Sequence, residues 1–278
     1  MFDMFLHRWL RIPYTLNVRY INRSKRARIT VLFLHGLGNT GAAWDDVIAK
    51  LPNDVQIISI DLLGFGDSAS PKWAVYNAKT QARSVVATYL KLGIITPVVI
   101  VGHSLGSLVA IEMAKRYSLF IKALILCSPP LYDTDDTHRR LLPKSDRVLQ
   151  RLYKAALKRP NDFIKLSAFA MKYNLINKSY NVTAENVESY MAALESMIIN
   201  QTSFDDAYGL KVKTHILRGT LDPLVVTANL KKLADANPNV ELSSVIASHE
   251  IRGPFVPAVV KAIKQQLQRS GKSDIKKK

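Results

Sequence analysis

The chain has 278 residues, 48% of them hydrophobic, and a formal net charge of +17. That length and composition allow a sizeable buried core and exclude a disordered or fibrous chain, and no apolar run approaches the roughly 20 residues a membrane-spanning helix needs. A single cysteine, Cys127, excludes an internal disulfide and a cysteine-based structural zinc site, and it suits a reducing, cytoplasmic setting.

The N-terminal "MFDMFLHRWLRIPY" sets Asp3, His7 and Arg8 among its apolar residues and lacks a small-residue cleavage site. It does not read as a secretory signal and is expected to remain on the chain. "YTLNVRYINRSKRARITVLFL" looks like two strands joined by a basic turn, so the sheet is expected to start with an antiparallel hairpin. Further short apolar runs follow: "RITVLFLHG", "VQIISIDLLG", "PVVIVGHS", "IKALILCSPP", "VKTHILRGT" and "NVELSSVIAS". Helical patterns alternate with them over Ala42–Leu51, Asn77–Leu92, Leu105–Tyr117, Val225–Asp235 and Pro254–Leu267. This alternation predicts an α/β fold: a mostly parallel central sheet with helices on both faces.

From about Leu131 to Ser203 the strand signals stop. Leu149, Leu152, Tyr153 and Ala156 share one face of a helical pattern, and Arg147, Arg151 and Lys154 another. The expected organisation is a core of residues 1–130 and 204–278 with a helical cap, residues 131–203, inserted into it. The final "GKSDIKKK" reads as a frayed basic tail.

"VIVGHSLGSLVAIEMAKRY" passes from strand to helix through Gly102-His103-Ser104-Leu105-Gly106. A serine hydroxyl is a poor nucleophile at neutral pH, so a serine enzyme must expose the oxygen, supply a base and stabilise the oxyanion formed on attack. Glycines on either side allow a tight, strained turn that lifts the serine above the sheet edge, the arrangement called the nucleophile elbow. The plainer alternative is that Ser104 only caps the helix starting at Leu105.

With this motif the chain resembles the α/β-hydrolase superfamily, specifically its serine-nucleophile members with a helical cap. The likeness extends over nearly the whole chain. "FLHGLGNTGAAW" resembles the family's loop after its third strand, where the residue following His-Gly, here Leu37, gives a backbone N–H to the oxyanion hole; Leu105 would give the second. "DLLGFGDS" resembles a glycine-rich folding signature, which implies structural roles for Asp61 and Ser68. A base working near neutral pH is a histidine, and the chain has six. His35 and His103 belong to motifs in which the family uses them to pack or orient loops. His7 lies in the N-terminal segment, His138 opens the insertion, and His215 sits in an apolar strand pattern. His249, in "VIASHEIRGPFVPAVVKAI", stands where resembling proteins carry the catalytic histidine; a plain surface-loop histidine is the alternative. The orienting acid is Asp222 of "LRGTLDPLV" or, in the place where some family members carry it, Asp133, after the strand that leads into the insertion. Ser104, Asp222, His249 is the chain order expected of the fold.

The resemblance implies hydrolysis of a carboxylic ester or thioester of a small or medium acyl substrate through an acyl-enzyme, with no metal and no cofactor. Carbon–carbon bond hydrolysis and cofactor-free haloperoxidase chemistry are alternatives on the same fold. A catalytically idle binding protein at an anionic surface is an alternative of another class.

The positive charge is unevenly placed: residues 1–30 carry about +6, 139–178 about +9 and 261–278 about +6. Solvated basic faces are the commoner meaning of such clusters, and no nucleic-acid motif accompanies them, so nucleic acid is not an expected partner. The basic cap and aromatic-basic N-terminus instead raise two expectations, an anionic substrate and peripheral contact with an anionic membrane.

Overall fold

The computed structural model describes residues 2–24, 27–132, 151, 153–173 and 176–275. Its apolar runs form a seven-stranded sheet: β1 (Val18–Asn22), β2 (Thr30–Leu34), β3 (Gln56–Ile60), β4 (Val98–His103), β5 (Ile121–Cys127), β6 (Lys213–Gly219) and β7 (Val240–Val245). The strand order is β1-β3-β2-β4-β5-β6-β7, and every pair but the first is parallel.

The first pair corrects the expected hairpin. β1 does run antiparallel, but against β3, with Ile21 opposite Ile58. Both edges of β2 are already taken, by β3 on one side and β4 on the other. The free edge of β3 is what remains for β1.

Strands β2 to β5 read as mostly apolar runs because both sheet faces are covered. Alternate residues separate cleanly: Leu32, Leu34, Ile58, Ile60, Ile100 and Leu124 enter one core, and Val31, Phe33, Ile57, Val99, Val101 and Ile125 the other. The first core takes α3 (Ala78–Lys91) and α4 (Leu105–Tyr117); the second takes α2 (Asp45–Ile48) and α9 (Phe255–Ile275). The chain opens on a short helix, α1 (Phe2–Met4), which passes into a wider turn over Phe5–Trp9. α3 begins where Asn77 Oδ1 accepts the Thr80 N–H at 2.9 Å, an ordinary N-cap.

The helix expected over Ala42–Leu51 is instead a 3-10 turn, Gly41–Trp44, followed by the single turn of α2. Its entry is clamped. Buried Asp61 accepts the Gly41 N–H at 2.7 Å, the Asn17 side-chain amide at 2.8 Å and the Asp67 N–H at 3.1 Å. The Ser68 hydroxyl closes back onto the Asp61 carbonyl at 2.6 Å.

Between β5 and β6 the described chain contains α5 (Pro160–Lys172), α6 (Val187–Ala193) continuing into a wider turn over Leu194–Ile199, and α7 (Ser203–Tyr208). α8 (Thr227–Ala236) lies between β6 and β7. In the insertion, Tyr153 and Ala156 pack against the first core while Arg151 and Lys154 are exposed. Arg147, Leu149 and Leu152 lie outside the described residues, as do Asp133 and His138.

Candidate active site

β4 ends at His103 and α4 begins at Leu105, so Ser104 alone makes the reversal between them. It does so at φ +48° and ψ −118°, a conformation that costs a residue with a Cβ about 1–3 kcal/mol. Although Ser104 stands at the N-cap position, its side chain makes no capping hydrogen bond. The helix-capping alternative therefore has no support in the geometry.

The flanking glycines are required by close approach. A Cβ on Gly102 would lie 2.6 Å from the Gly106 oxygen and 2.8 Å from Ser107 Cα, and one on Gly106 would run into the carbonyls of Leu34 and His35. α4 thus starts directly against the end of β2. The loop leaving β2 is held by His35, whose Nε2 accepts the Leu62 N–H at 2.9 Å and whose Nδ1 donates to the Gly36 carbonyl at 2.8 Å. Its burial pushes the imidazole down to about 4. At Gly36 the loop touches the elbow: a Cβ there would be 3.2 Å from Ser104 Cβ and 2.8 Å from His103 Nδ1. The next residue is Leu37. Among the described residues, neither its N–H nor that of Leu105, the first residue of α4, is spent on a hydrogen bond.

Asp222 lies in the turn after β6 and His249 in the loop after β7, so these side chains and the elbow gather at the carboxyl ends of parallel strands, where ligands of open α/β sheets bind. The Asp222 side chain is fully buried, and its Oδ2 is 2.8 Å from His249 Nδ1. Oδ1 accepts the Leu224 N–H at 2.8 Å. The His249 ring retains 14% exposure. Its backbone carbonyl accepts a hydrogen bond from His103 Nε2 at 2.9 Å, and the two imidazoles are 4.9 Å apart.

Burial by itself would lower the His249 pKa and raise that of Asp222. The hydrogen bond and opposite charge between them prevail, with Glu250 adding to the effect on the imidazole, so His249 is raised and Asp222 lowered from their ordinary values. The remaining described histidines are occupied elsewhere. His7 stacks on Tyr14 in the N-terminal arm, and His215 meets Ser243 Oγ at 2.9 Å on β6.

Three features of the site were not read from the sequence. Gly38, at φ +77°, lies under Tyr180 and Tyr190; a Cβ there would meet their rings at 2.5 and 2.8 Å. Asn181 N–H donates to the Gly38 carbonyl at 2.8 Å and Ser179 Oγ to Asn39 Oδ1 at 2.9 Å, so the insertion is tied to the loop carrying Leu37. Ser128, at φ +48° at the end of β5, is buried without a well-formed hydrogen bond, yet its hydroxyl lies close enough to Asp222 to help lower that carboxyl. No motif marks these residues. The strand-ending "CSPP" is the one local hint of an unusual backbone.

A polar cleft of about 640 Å³, with Arg19, Asp45, Asp67, Lys178 and Arg252 among its walls, includes none of Ser104, Asp222 and His249. Among the described residues no His, Cys, Asp and Glu side chains cluster as a metal site, and no helix is long and apolar enough to cross a membrane.

The family model of the alpha/beta hydrolase fold matches residues 29–249, and the chain belongs to that family. The chain is 29% identical over 104 residues to the probable lysophospholipase BODYGUARD 4 of Arabidopsis thaliana, a match covering 37% of this chain and 25% of that protein. It thus spans about a quarter of that relative's length. In structure it resembles an esterase from Thermogutta terrifontis, with a TM-score of 0.71, 21% identity, and 91% and 93% of the two chains covered. It also resembles the enol-lactonase from Burkholderia xenovorans LB400, with a TM-score of 0.69, 21% identity, and 91% and 96% covered. At such identities these structures show a shared fold.

Proposed function

We propose that this α/β hydrolase is a serine esterase acting on carboxylic esters or thioesters of small to medium acyl groups. The observation that carries the reading is the 2.8 Å contact between His249 Nδ1 and Asp222 Oδ2, together with a serine held at φ +48° in a strand-to-helix turn whose preceding residue, His103, bonds the His249 carbonyl. A structural serine and a surface histidine would need neither the strained backbone nor the buried carboxylate.

In this reading His249 Nε2 takes the Ser104 hydroxyl proton as Oγ bonds to the acyl carbon. The carbonyl oxygen becomes an oxyanion, stabilised by the backbone N–H groups of Leu37 and Leu105. Collapse of the tetrahedral intermediate breaks the bond to the leaving group, which receives the proton from His249, and leaves an ester on Ser104. Water then attacks that ester, giving its proton to His249, and the acid departs as Ser104 recovers its own. Asp222 stays ionised throughout; it holds the Nδ1–H tautomer and offsets the imidazolium charge. No step calls for a metal or an organic cofactor. The helices between β5 and β6 act as the cap, with Tyr180 and Tyr190 seated on the oxyanion loop, so acyl-chain preference resides there.

A panel of p-nitrophenyl esters and thioesters of graded chain length, run on wild type, Ser104→Ala and His249→Ala, tests the proposal. Turnover that falls in each variant by at least about 10⁴-fold, with fluorophosphonate labelling lost in Ser104→Ala, supports it. Full activity in either variant, or wild-type protein that neither turns over nor labels, overturns it.

A further inference from the structure

The N-terminal arm presents a surface that the hydrolytic site does not use. Its base is ordered. His7 Nδ1 donates to the Ile12 carbonyl at 2.7 Å and the ring stacks on Tyr14 at 3.6 Å, while the Tyr14 hydroxyl donates to Asp3 at 2.9 Å. Arg83 of α3 ties down the Arg11 carbonyl at 2.8 Å.

From this base large apolar side chains point outward. Phe5 is 51% exposed, Trp9 76%, Leu10 54% and Ile12 46%, and Val75 of a neighbouring loop is 59% exposed. Single exposed apolar residues are ordinary, but an arm on which four of eight consecutive residues are large, apolar and solvent-facing marks an interaction surface. Beside them runs a groove of about 420 Å³ whose walls include Arg8, Arg11, Lys79, Arg83, Ile12 and Trp73. Among the described residues none of those four cations is paired with a carboxylate, and the nearby Asp3 is engaged by Tyr14 and His7.

We propose that this arm and groove dock the protein on an anionic bilayer. Complementary charge selects the occupant: four unpaired cations suit lipid phosphates, and the amphipathic ring of Trp9 suits the boundary between headgroups and acyl chains. Leu10, Phe5 and Ile12 supply the apolar surface that enters that boundary. A nucleic acid would use the cations but leave this apolar set in water. Docking here does not depend on the esterase reading, since none of these residues belongs to the hydrolytic site.

Vesicle co-sedimentation tests it, using phosphatidylcholine alone and phosphatidylcholine mixed with phosphatidylglycerol. Wild type is expected to bind the mixed vesicles and not the neutral ones. The paired change Arg11→Gln with Lys79→Gln is expected to weaken binding on the order of thirtyfold, from about 1 kcal/mol for each cation near the surface. Trp9→Ala with Leu10→Ser is expected to weaken it by about tenfold or more. Both variants should keep wild-type turnover of p-nitrophenyl acetate, and Ser104→Ala should bind vesicles as wild type does. Equal binding to both vesicle types, absence of binding, or binding insensitive to the Trp9 and Leu10 changes overturns the proposal; the last outcome would reduce the surface to diffuse positive charge.

Discussion

His103 Nε2 donates to the backbone carbonyl of His249 across 2.9 Å, so the residue that precedes Ser104 in the chain also holds the loop bearing the candidate base. Elbow and base are thereby referenced to each other through one side chain. Removing it in His103→Ala should let the 249 loop drift, and a displacement of about 1 Å between reacting groups can cost 10²-fold in rate. We expect kcat to fall by about that much with a smaller change in KM. His103→Gln, which keeps an N–H donor, should recover part of the loss. Steady-state hydrolysis of a p-nitrophenyl ester by the two variants checks both expectations.

Asp222 and the raised pKa of His249 make a signed prediction about pH. The imidazole acts as base only when neutral, so wild-type kcat/KM should fall as pH drops through the His249 pKa, with a midpoint above the ordinary histidine value of 6.5. In Asp222→Asn the charge-assisted bond that does most to raise it is gone, while burial, which lowers it, and the smaller upward pull of Glu250 remain. The acidic limb should move to lower pH while kcat falls on the order of 10⁴-fold, the size of loss seen when the acid of such a triad is replaced. A pH–rate profile of both proteins reads the two effects separately. An unchanged limb would remove Asp222 from the proposed triad.

What the sequence displayed and what it hid follow from the range of the forces involved. The central strands β2 and β4 were legible because burial on both sheet faces writes mostly apolar runs, and the elbow was legible because glycines at 102 and 106 are demanded by backbone contacts of the turn itself. The partner of β1 was not legible. Its residues specify a strand, while its place beside β3 depends on both edges of β2 being occupied by segments far along the chain. Tyr180 and Tyr190 were missed for the same reason. Their role is defined by Gly38, far earlier in the chain, whose lack of a Cβ makes room for their rings.

Gly106→Ala tests whether the elbow's second glycine is structural. The new methyl would run into the carbonyls of Leu34 and His35 at the end of a central strand, where backbone has little freedom to yield. Overpacking of this kind costs about 1–3 kcal/mol or more, so the urea midpoint should fall at unchanged m-value. Gly93→Ala is the contrast. A Cβ there meets nothing within 4 Å, and its φ of +68° leaves backbone strain as the one penalty.

Asp61 tests the clamp under the loop proposed to hold the oxyanion. Its carboxylate is buried and accepts three hydrogen bonds, from Gly41, Asn17 and Asp67. Asp61→Ala would strand the buried Gly41 N–H, at about 1–3 kcal/mol for a buried unsatisfied group, and release the part-buried donors of Asn17 and Asp67. Chemical denaturation should show a loss of at least that size. Because Gly41 ends the loop carrying Leu37, esterase turnover should fall too. A stable Asp61→Ala protein would mean that water reaches the Gly41 N–H.

Acid should destabilise the fold through two histidines that are buried neutral. Burial pushes His35 down to about 4 and His103 down to about 3, from an ordinary 6.5. As pH falls below 6.5 the unfolded chain takes up protons at both positions while the native one does not, so stability declines with falling pH. The decline continues until His35 protonates near 4 and His103 near 3. The steepest slope is about 1.4 kcal/mol per pH unit for each histidine. His249 has the opposite sign: its raised native pKa adds stability that is fully present below 6.5 and is lost as pH rises through the native value, so it does not shape the acid side. His35 carries the structural reason for its own shift, since protonating Nε2 would break its bond from the Leu62 N–H. In His35→Gln a side-chain oxygen can still accept from Leu62, but nothing titrates. Urea midpoints measured between neutral and mildly acidic pH should therefore show a shallower slope in His35→Gln than in wild type, and equal slopes would mean that His35 takes up its proton as readily in the folded protein as in the unfolded chain.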